Sequence, residues 1–379
     1  MKKLLIPILI IPLVLYFFLH RESYTNDTIL IGSSLPQTGT LREYGNAVEE
    51  GSNAYFHYAN VQQIIKNKTI KFLTYDDKYE PRLAFENTQR LLQNKDIFAL
   101  YGFVGTQTVK NILPMIYQAD IPLVATFSGA TFLRENTNTN IINFRSSYKN
   151  EIQEHIRYLH DIKGFTKIAV FYQNDEYGED GYVWVVKTLK KYDLLPVAEG
   201  NYKRNTLAIR HALNSIKEAK PEAIIMIGAN KANTLFIKKA KQNENFKETL
   251  FCNISSGDAD HMVKNLNGDT KNVIFSQIVP NYQDTTIPIV KEYHKILKLF
   301  NEDFQPGFIS LESYLSAKLV VTALKNIKGV ITRDKFVYNM KRLPKDTLDG
   351  ISINSKHKDF LEKVYLFGYE DKKFIELLK

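Results

Sequence analysis

From Thr28 to Cys252 the chain alternates short β-branched runs with longer amphipathic stretches, and no other feature constrains its fold as tightly. Thr28–Ser33, Ile70–Tyr75, Ile97–Tyr101 and Ile121–Ala125 read as buried strands. Between them, Gly45–Asn60, Pro81–Asn94 and Thr106–Tyr117 carry apolar residues at helical spacing. Pro81 stands where proline is favoured, in a first helical turn. Connections of this length are too long for hairpins, so the strands should pair in parallel through right-handed crossovers. The rhythm restarts with strands at Lys167–Tyr172, Leu195–Glu199, Glu222–Gly228 and Thr249–Cys252. Helices at Asp180–Tyr192, Thr206–Lys217 and Lys231–Gln242 separate them. The expectation is an α/β fold of two doubly wound, Rossmann-like lobes, with the break near Arg145–Tyr148.

After Cys252 the pattern changes. Val273–Val279 reads as a strand. Three helices follow at Pro288–Phe300, Ser310–Lys325 and Arg333–Lys341, and the tail carries a strand pair, Val364–Tyr369 and Phe374–Leu378. Helices without strands between them cannot make a third α/β unit. They should complete the two lobes, so the chain crosses between lobes more than once.

The N-terminus bears on the compartment. Met1-Lys2-Lys3 precedes an apolar run, Leu4–Leu19, which reads as an export signal. Neither a small-residue cleavage site nor a cysteine follows it, so residues 1–23 are either an uncleaved signal anchor or a cleaved signal peptide. The two lysines keep the N-terminus cytoplasmic and place the rest outside the inner membrane, tethered by residues 4–19.

The chemistry on offer is sparse. Cys252 is the only cysteine, which rules out a disulfide framework and a multi-cysteine zinc site. Its place at a strand end suits a small core hydrophobe. The eight histidines form no HExxH pair, and there is no GxSxG elbow, P-loop or GxGxxG. A net charge of +9 is spread along the chain without a long run, so it reads as a lysine-rich solvated surface and not as a nucleic-acid face. Asp76-Asp77 is either an acid–base or metal pair or a turn and helix cap. Adjacent strand residues point to opposite faces, which favours the turn.

Ligands of doubly wound sheets bind at the carboxyl ends of the strands. The turns there are Leu35–Tyr44, Gly102–Thr106, Ser128-Gly129-Ala130 and Asn174–Gly178. Thr106 opens a helix, so it is either an anion-binding hydroxyl beside free backbone amides or a plain N-cap. Tyr44 and Tyr177 are aromatic candidates for covering a ligand.

These segments, in order, resemble the type I periplasmic solute-binding proteins of ABC transporters, in particular the branched-chain amino acid (leucine/isoleucine/valine) group. The resemblance rests on Ile31–Gly39 with Tyr44-Gly45, Tyr75–Pro81, Tyr101–Thr106 and Ser128–Arg134. In the second half it rests on Phe144–Tyr148, Ala169–Gly178, Gln277–Pro280 and Ser310–Tyr314. It implies two lobes joined by three crossovers, near Arg145–Tyr148, Gln277–Val279 and Asp349–Ile351, with ligand held between them. Lobe 1 would comprise residues 24–146 and 278–349, and lobe 2 residues 147–277 and 350–379.

The resemblance also implies ligand contacts. A carboxylate would be gripped at Thr106 and at Ser128, Gly129 and Ala130, with Tyr44 and Tyr177 flanking the ligand from opposite lobes. Two family contacts are replaced. The glutamate that meets a ligand ammonium falls near Ser255, and a second tyrosine falls near Ala229-Asn230. A buried ammonium without its acid costs several kcal/mol, roughly, so a carboxylate or amide solute fits at least as well as a free amino acid. Asn230 and Gln277 suit neutral hydrogen bonding. The implied partners are a small polar organic ligand and ABC permease subunits, with no cofactor and no catalysis. The alternative is a ligand sensor that presents its closed form to a separate signalling chain.

Overall fold

The computed structural model describes residues 27–135 and 138–377. The N-terminal apolar run, and with it the signal or anchor reading, lies outside them. In the first half, strands β1 (Thr28–Leu35), β2 (Thr69–Asp76), β3 (Ile97–Tyr101), β4 (Leu123–Val124) and β5 (Ile141–Ile142) form one parallel sheet. Its order is β2-β1-β3-β4-β5. The crossovers carry helices α1 (Arg42–Val61), α2 (Pro81–Gln93), α3 (Thr106–Ala119) and α4 (Phe132–Glu135). Pro81 occupies the first turn of α2, and β3 is buried at every position, as a central parallel strand must be.

The second half repeats the plan after α5 (Tyr148–Arg157), with β6 (Ile168–Asn174), α6 (Glu176–Leu189), β7 (Glu199–Lys203), α7 (Arg210–Glu218) and β8 (Ala223–Ile227). Next come α8 (Asn230–Ala240), β9 (Leu250–Asn253), α9 (Ala259–Asn265) and β10 (Val273–Gln277). The parallel order β7-β6-β8-β9-β10 has the same winding as the first sheet. The seven-stranded sheet is completed by β11 (Tyr365–Glu370), antiparallel to β10, and β12 (Lys373–Glu376). The α/β, doubly wound reading therefore holds for both halves.

One strand lies elsewhere than its hydrophobicity suggests. The run at Leu195–Glu199 is not a strand; Leu195 and Val197 are exposed, and β7 begins where that run ends. As an edge strand it buries only alternate residues, Gly200 and Tyr202, so its apolar signal is weak.

The late helices, α10 (Pro288–Phe300), α11 (Phe308–Lys325) and α12 (Arg333–Met340), return to the first sheet. α10 and α11 pack on α1, and Arg333 at the head of α12 donates to the Ile97 and Phe98 carbonyls of β3. α11 and α1 approach so closely that a Cβ at Gly51 would strike the Ser310 carbonyl and the Ser313 hydroxyl. The chain thus passes between the two sheets three times: after β5, after β10 and before β11. The first and third passages run side by side, with Phe360 and Leu361 N–H groups donating to the Asn143 and Phe144 carbonyls.

Candidate functional site

In a 2-1-3-4-5 sheet the neighbouring crossovers β1→β2 and β3→β4 leave on opposite faces, which opens a crevice beyond the carboxyl ends of β1 and β3. Here two such crevices face each other across one narrow cavity of about 20 Å³. From the first sheet, Tyr44 follows β1, Tyr79 follows β2, Thr106 follows β3 and Phe127 follows β4. Tyr148 opens α5 just beyond β5; Tyr177 follows β6, Ala229 follows β8 and Ser256 follows β9.

One wall is polar. Gly105 holds φ at +98°, and a Cβ there would meet the Tyr79 ring and the Thr108 hydroxyl, so the turn needs glycine. It delivers Thr106 as the first residue of α3. The Thr106 hydroxyl does not cap the helix, which corrects the N-cap alternative. It lies 2.9 Å from the Ser128 hydroxyl and 3.1 Å from the Tyr148 phenol. The Ser128–Ala130 turn is fixed around it. Tyr148 N–H donates to the Gly129 carbonyl at 2.9 Å, and Ala130 N–H to Ser128 Oγ at 3.3 Å. Arg134 donates to the Ser128 and Ala130 carbonyls and pairs with Asp359 at 2.7 Å. Three hydroxyls beside a helix start are a donor set whose chemistry suits a carboxylate or amide oxygen.

The remaining walls are aromatic. Tyr44 stands edge-on to Phe127 with centroids 5.8 Å apart, and Tyr148 and Tyr177 lie 5.3 Å apart. Burial pushes the phenols of Tyr44, Tyr79 and Tyr177 above their ordinary range, so they are neutral hydrogen-bonding groups. The buried Tyr177 hydroxyl has no hydrogen-bond partner among the described residues.

Behind this lining sits Arg145, fully buried in the first passage between the sheets. Nη2 donates to Ser255 Oγ at 2.5 Å; Nη1 reaches Tyr44 Oη and Ser256 Oγ only at 3.4 and 3.5 Å. Nε lies 3.5 Å from Glu312 on α11. Burial alone would weaken the guanidinium's hold on its proton. Glu312, Tyr44 and Glu151 outweigh it and raise the group above its usual value. Glu312 is pushed up to about 7 by burial, against the pull of Arg145 and with Glu151 adding to the rise. Glu151 accepts from Ser255 N–H, Ser255 Oγ and Ser276 Oγ at 2.6–2.9 Å.

The two halves are bridged by Arg204, just past β7. Its guanidinium lies 3.7 Å from the Tyr79 ring centroid, donates to the Tyr79 carbonyl and to Gln107 Oε1, and pairs with Asp175 at 3.2 Å. Asp175 also caps α6, accepting from Tyr177 and Gly178 N–H. Asp76 and Asp77 fill the turn role. Asp76 accepts from Gln37, Thr38 and Lys78 N–H, while Asp77, pushed up to about 7 by burial, accepts from Ser34 Oγ and Tyr79 N–H.

Of the residues singled out from sequence, Tyr44, Thr106 and Tyr177 line the cavity, and Ser128, Gly129 and Ala130 form the turn that holds Thr106 and Tyr148. Ser255 sits behind the lining, bonded to Arg145 and Glu151. Asn230 is bonded to Asp258, and Gln277 ends β10 opposite Tyr365; neither reaches the lining. Sequence reasoning missed Tyr79, Phe127, Tyr148, Arg145 and Arg204. Each of the first three stands a few residues past a strand end, which is the signal that could have found them. Cys252 is buried, with its thiol pushed up by burial, as a core residue. Among the described residues no group of His, Cys, Asp and Glu is placed to hold a metal.

A family model described as periplasmic binding protein matches residues 28–373. A possible leucine/isoleucine/valine-binding protein from Rhodopirellula baltica is similar in structure. It has 27% identity and a TM-score of 0.87 over 93% of this chain and 96% of that one. A fatty acid ABC transporter substrate-binding protein from Thermomonospora curvata (15% identity, TM-score 0.83, 94% and 93% covered) shares the fold. So does a leucine binding protein from Thermotoga maritima (14%, 0.79, 92% and 98%). No curated protein matches the sequence significantly.

Proposed function

The chain belongs to the periplasmic binding protein family, in its type I, leucine/isoleucine/valine-binding-like group, and from that premise we propose that it captures a small carboxylate, amide or amino-acid-like solute for an ABC importer. Family members are extracytoplasmic solute-binding proteins and not enzymes, and they work with ABC permeases. The observation that carries the reading is the narrow cavity between the strand ends of both sheets, lined by Thr106 and Tyr148, whose hydroxyls meet with Ser128 behind them. Residues 24–146 with 278–349, and 147–277 with 350–379, act as two lobes that hinge at the three passages and close over the solute. The assignment of β10–β12 to the second sheet, and the packing of α10 and α11 on α1, support this division. Among the described residues no helix is long and apolar enough to cross a membrane. Tethering falls to residues 4–19 in this reading, and recovery of soluble protein that begins beyond His20 would refute it.

The test is a thermal-shift panel of amino acids, their amides and short carboxylates. A true ligand at 100 times its Kd adds about 2.7 kcal/mol of stability. A hit should shrink in Thr106→Ala, and uptake of that solute by cells should fall when the chain is deleted. Stabilisation without any effect on uptake would remove the importer role.

A further inference from the structure

A second pocket, of about 320 Å³, lies away from the cleft, where the third passage between the sheets runs beside β5. Ile141, Ile142 and Phe360 are its buried apolar floor, and Lys341, Lys356, His357 and Lys358 line it with cationic or ionisable groups. The geometry points to a binding site here for a phosphate ester that carries an apolar substituent.

The cations come from two segments that the fold ties together. Lys341 follows α12, and Lys356–Lys358 lies in the third passage. Ile353 N–H donates to the Lys345 carbonyl at 2.9 Å, and Ser355 Oγ to the Leu343 carbonyl at 2.8 Å. Phe360 N–H donates to the Asn143 carbonyl at 3.2 Å, which sets the second segment against the end of β5. Charge that is scattered along the sequence is thus gathered by packing around one pocket.

No lining residue carries a carboxylate. The acids nearest in sequence are engaged: Asp359 pairs with Arg134 at 2.7 Å, and Glu362 with His357 at 3.3 Å. Lys341 and Lys356 make no ion pair among the described residues. Burial and the nearby Lys358 charge hold the Lys341 ammonium below its ordinary range. An anion set among these groups relieves that crowding, and lysine meets phosphate as a point charge. The apolar floor takes up the organic body of an ester, which bare phosphate lacks.

The test titrates phenyl phosphate and inorganic phosphate calorimetrically into the full chain and into Lys341→Gln/Lys356→Gln. Phenyl phosphate should bind about tenfold more tightly than inorganic phosphate. The double variant should lose about tenfold of that affinity at an unchanged melting temperature. Should it fail to fold, Lys356→Glu alone, at an exposed position, should show the same loss. Equal binding of the two probes, or binding that survives in the variant, overturns the inference. A lipid headgroup and a free ester share this chemistry, and flotation with vesicles separates them. A preference for phosphatidylglycerol over phosphatidylcholine vesicles that is lost in the variant assigns the headgroup. Phenyl phosphate binding without that preference assigns a free ester. Neither phenyl phosphate binding nor a lipid preference overturns the inference, and solute capture in the cleft stands apart from every outcome.

Discussion

Arg204 and Tyr79 join the two halves of the molecule: the guanidinium lies 3.7 Å from the ring centroid and donates to the carbonyl of the same residue. Tyr79 also lines the cavity, so one side chain from beyond β7 presses a wall of the cleft from outside. Arg204→Ala removes a cation–π contact, hydrogen bonds to the Tyr79 carbonyl and Gln107, and the ion pair with Asp175. Ligand binding should weaken by about 1–3 kcal/mol. If the two lobes close over the solute as proposed, the loss should fall on the dissociation rate. Stopped-flow measurements that place it on the association rate would refute the latch.

Thr106 contributes the central hydroxyl of the polar wall. Thr106→Val keeps its shape and removes the hydroxyl. The expected loss is about 1–3 kcal/mol of binding, as for a hydrogen bond to a charged group, and the melting temperature of the free protein should fall as well, because the buried Ser128 and Tyr148 hydroxyls lose a partner. An unchanged dissociation constant would take Thr106 out of the site.

Binding of a carboxylate should depend on pH through Glu312, which faces Arg145 and has Glu151 and Arg134 within electrostatic reach. Its carboxyl is held near 7. Below that pH it is protonated, Arg145 keeps its full charge for the ligand, and affinity should be higher. Above that pH Glu312 competes for Arg145 and affinity should fall, by at most about tenfold per pH unit for one linked proton. Titrations from pH 6 to 8 measure the slope, and Glu312→Gln should flatten it. A slope that survives in Glu312→Gln would assign the proton to another group.

Gly51 marks the closest approach of α1 and α11. Gly51→Val should destabilise by about 1–3 kcal/mol through overpacking. Gly368→Ala is the control, since its added carbon makes only an ordinary contact with Leu377; it should stay within about 0.5 kcal/mol. Equal melting temperatures for the two variants would mean that the helices can separate freely there.

Trp184, the only tryptophan in the chain, donates from Nε1 to Thr131 Oγ1 at 2.7 Å, with Lys149 and Lys187 over its ring. Thr131 follows the Ser128–Ala130 turn, and Trp184 lies on α6. Ligand titration should therefore change intrinsic fluorescence, and Thr131→Val should shift the emission of the free protein and shrink the response. Saturation with a calorimetrically verified ligand and no change in emission would show that this contact does not move on closure.

Much of the architecture was legible because it is written locally. Buried parallel strands such as β3 and β8 are continuous apolar runs, and their helices carry one apolar face. The edge strand β7 was misplaced for the complementary reason: half its residues face solvent, and the stronger apolar signal lay just before it, in exposed Leu195 and Val197. Strand ends also pointed to Tyr44, Thr106 and Tyr177, since a doubly wound sheet exposes its next few residues at the crevice.

What sequence alone determined, then, is the doubled α/β plan and the set of loops that could meet a ligand. Those follow from periodicity and turn chemistry, which depend on neighbours only a few residues apart. Tertiary structure alone decided which side chains converge: Arg145 with Glu312, Arg204 with Tyr79, and Thr106 with Ser128 and Tyr148. It also turned Asn230 and Gln277 away from the lining. These partners are brought together by packing across the two sheets, and a contact between residues far apart in the chain leaves no periodic trace in the sequence.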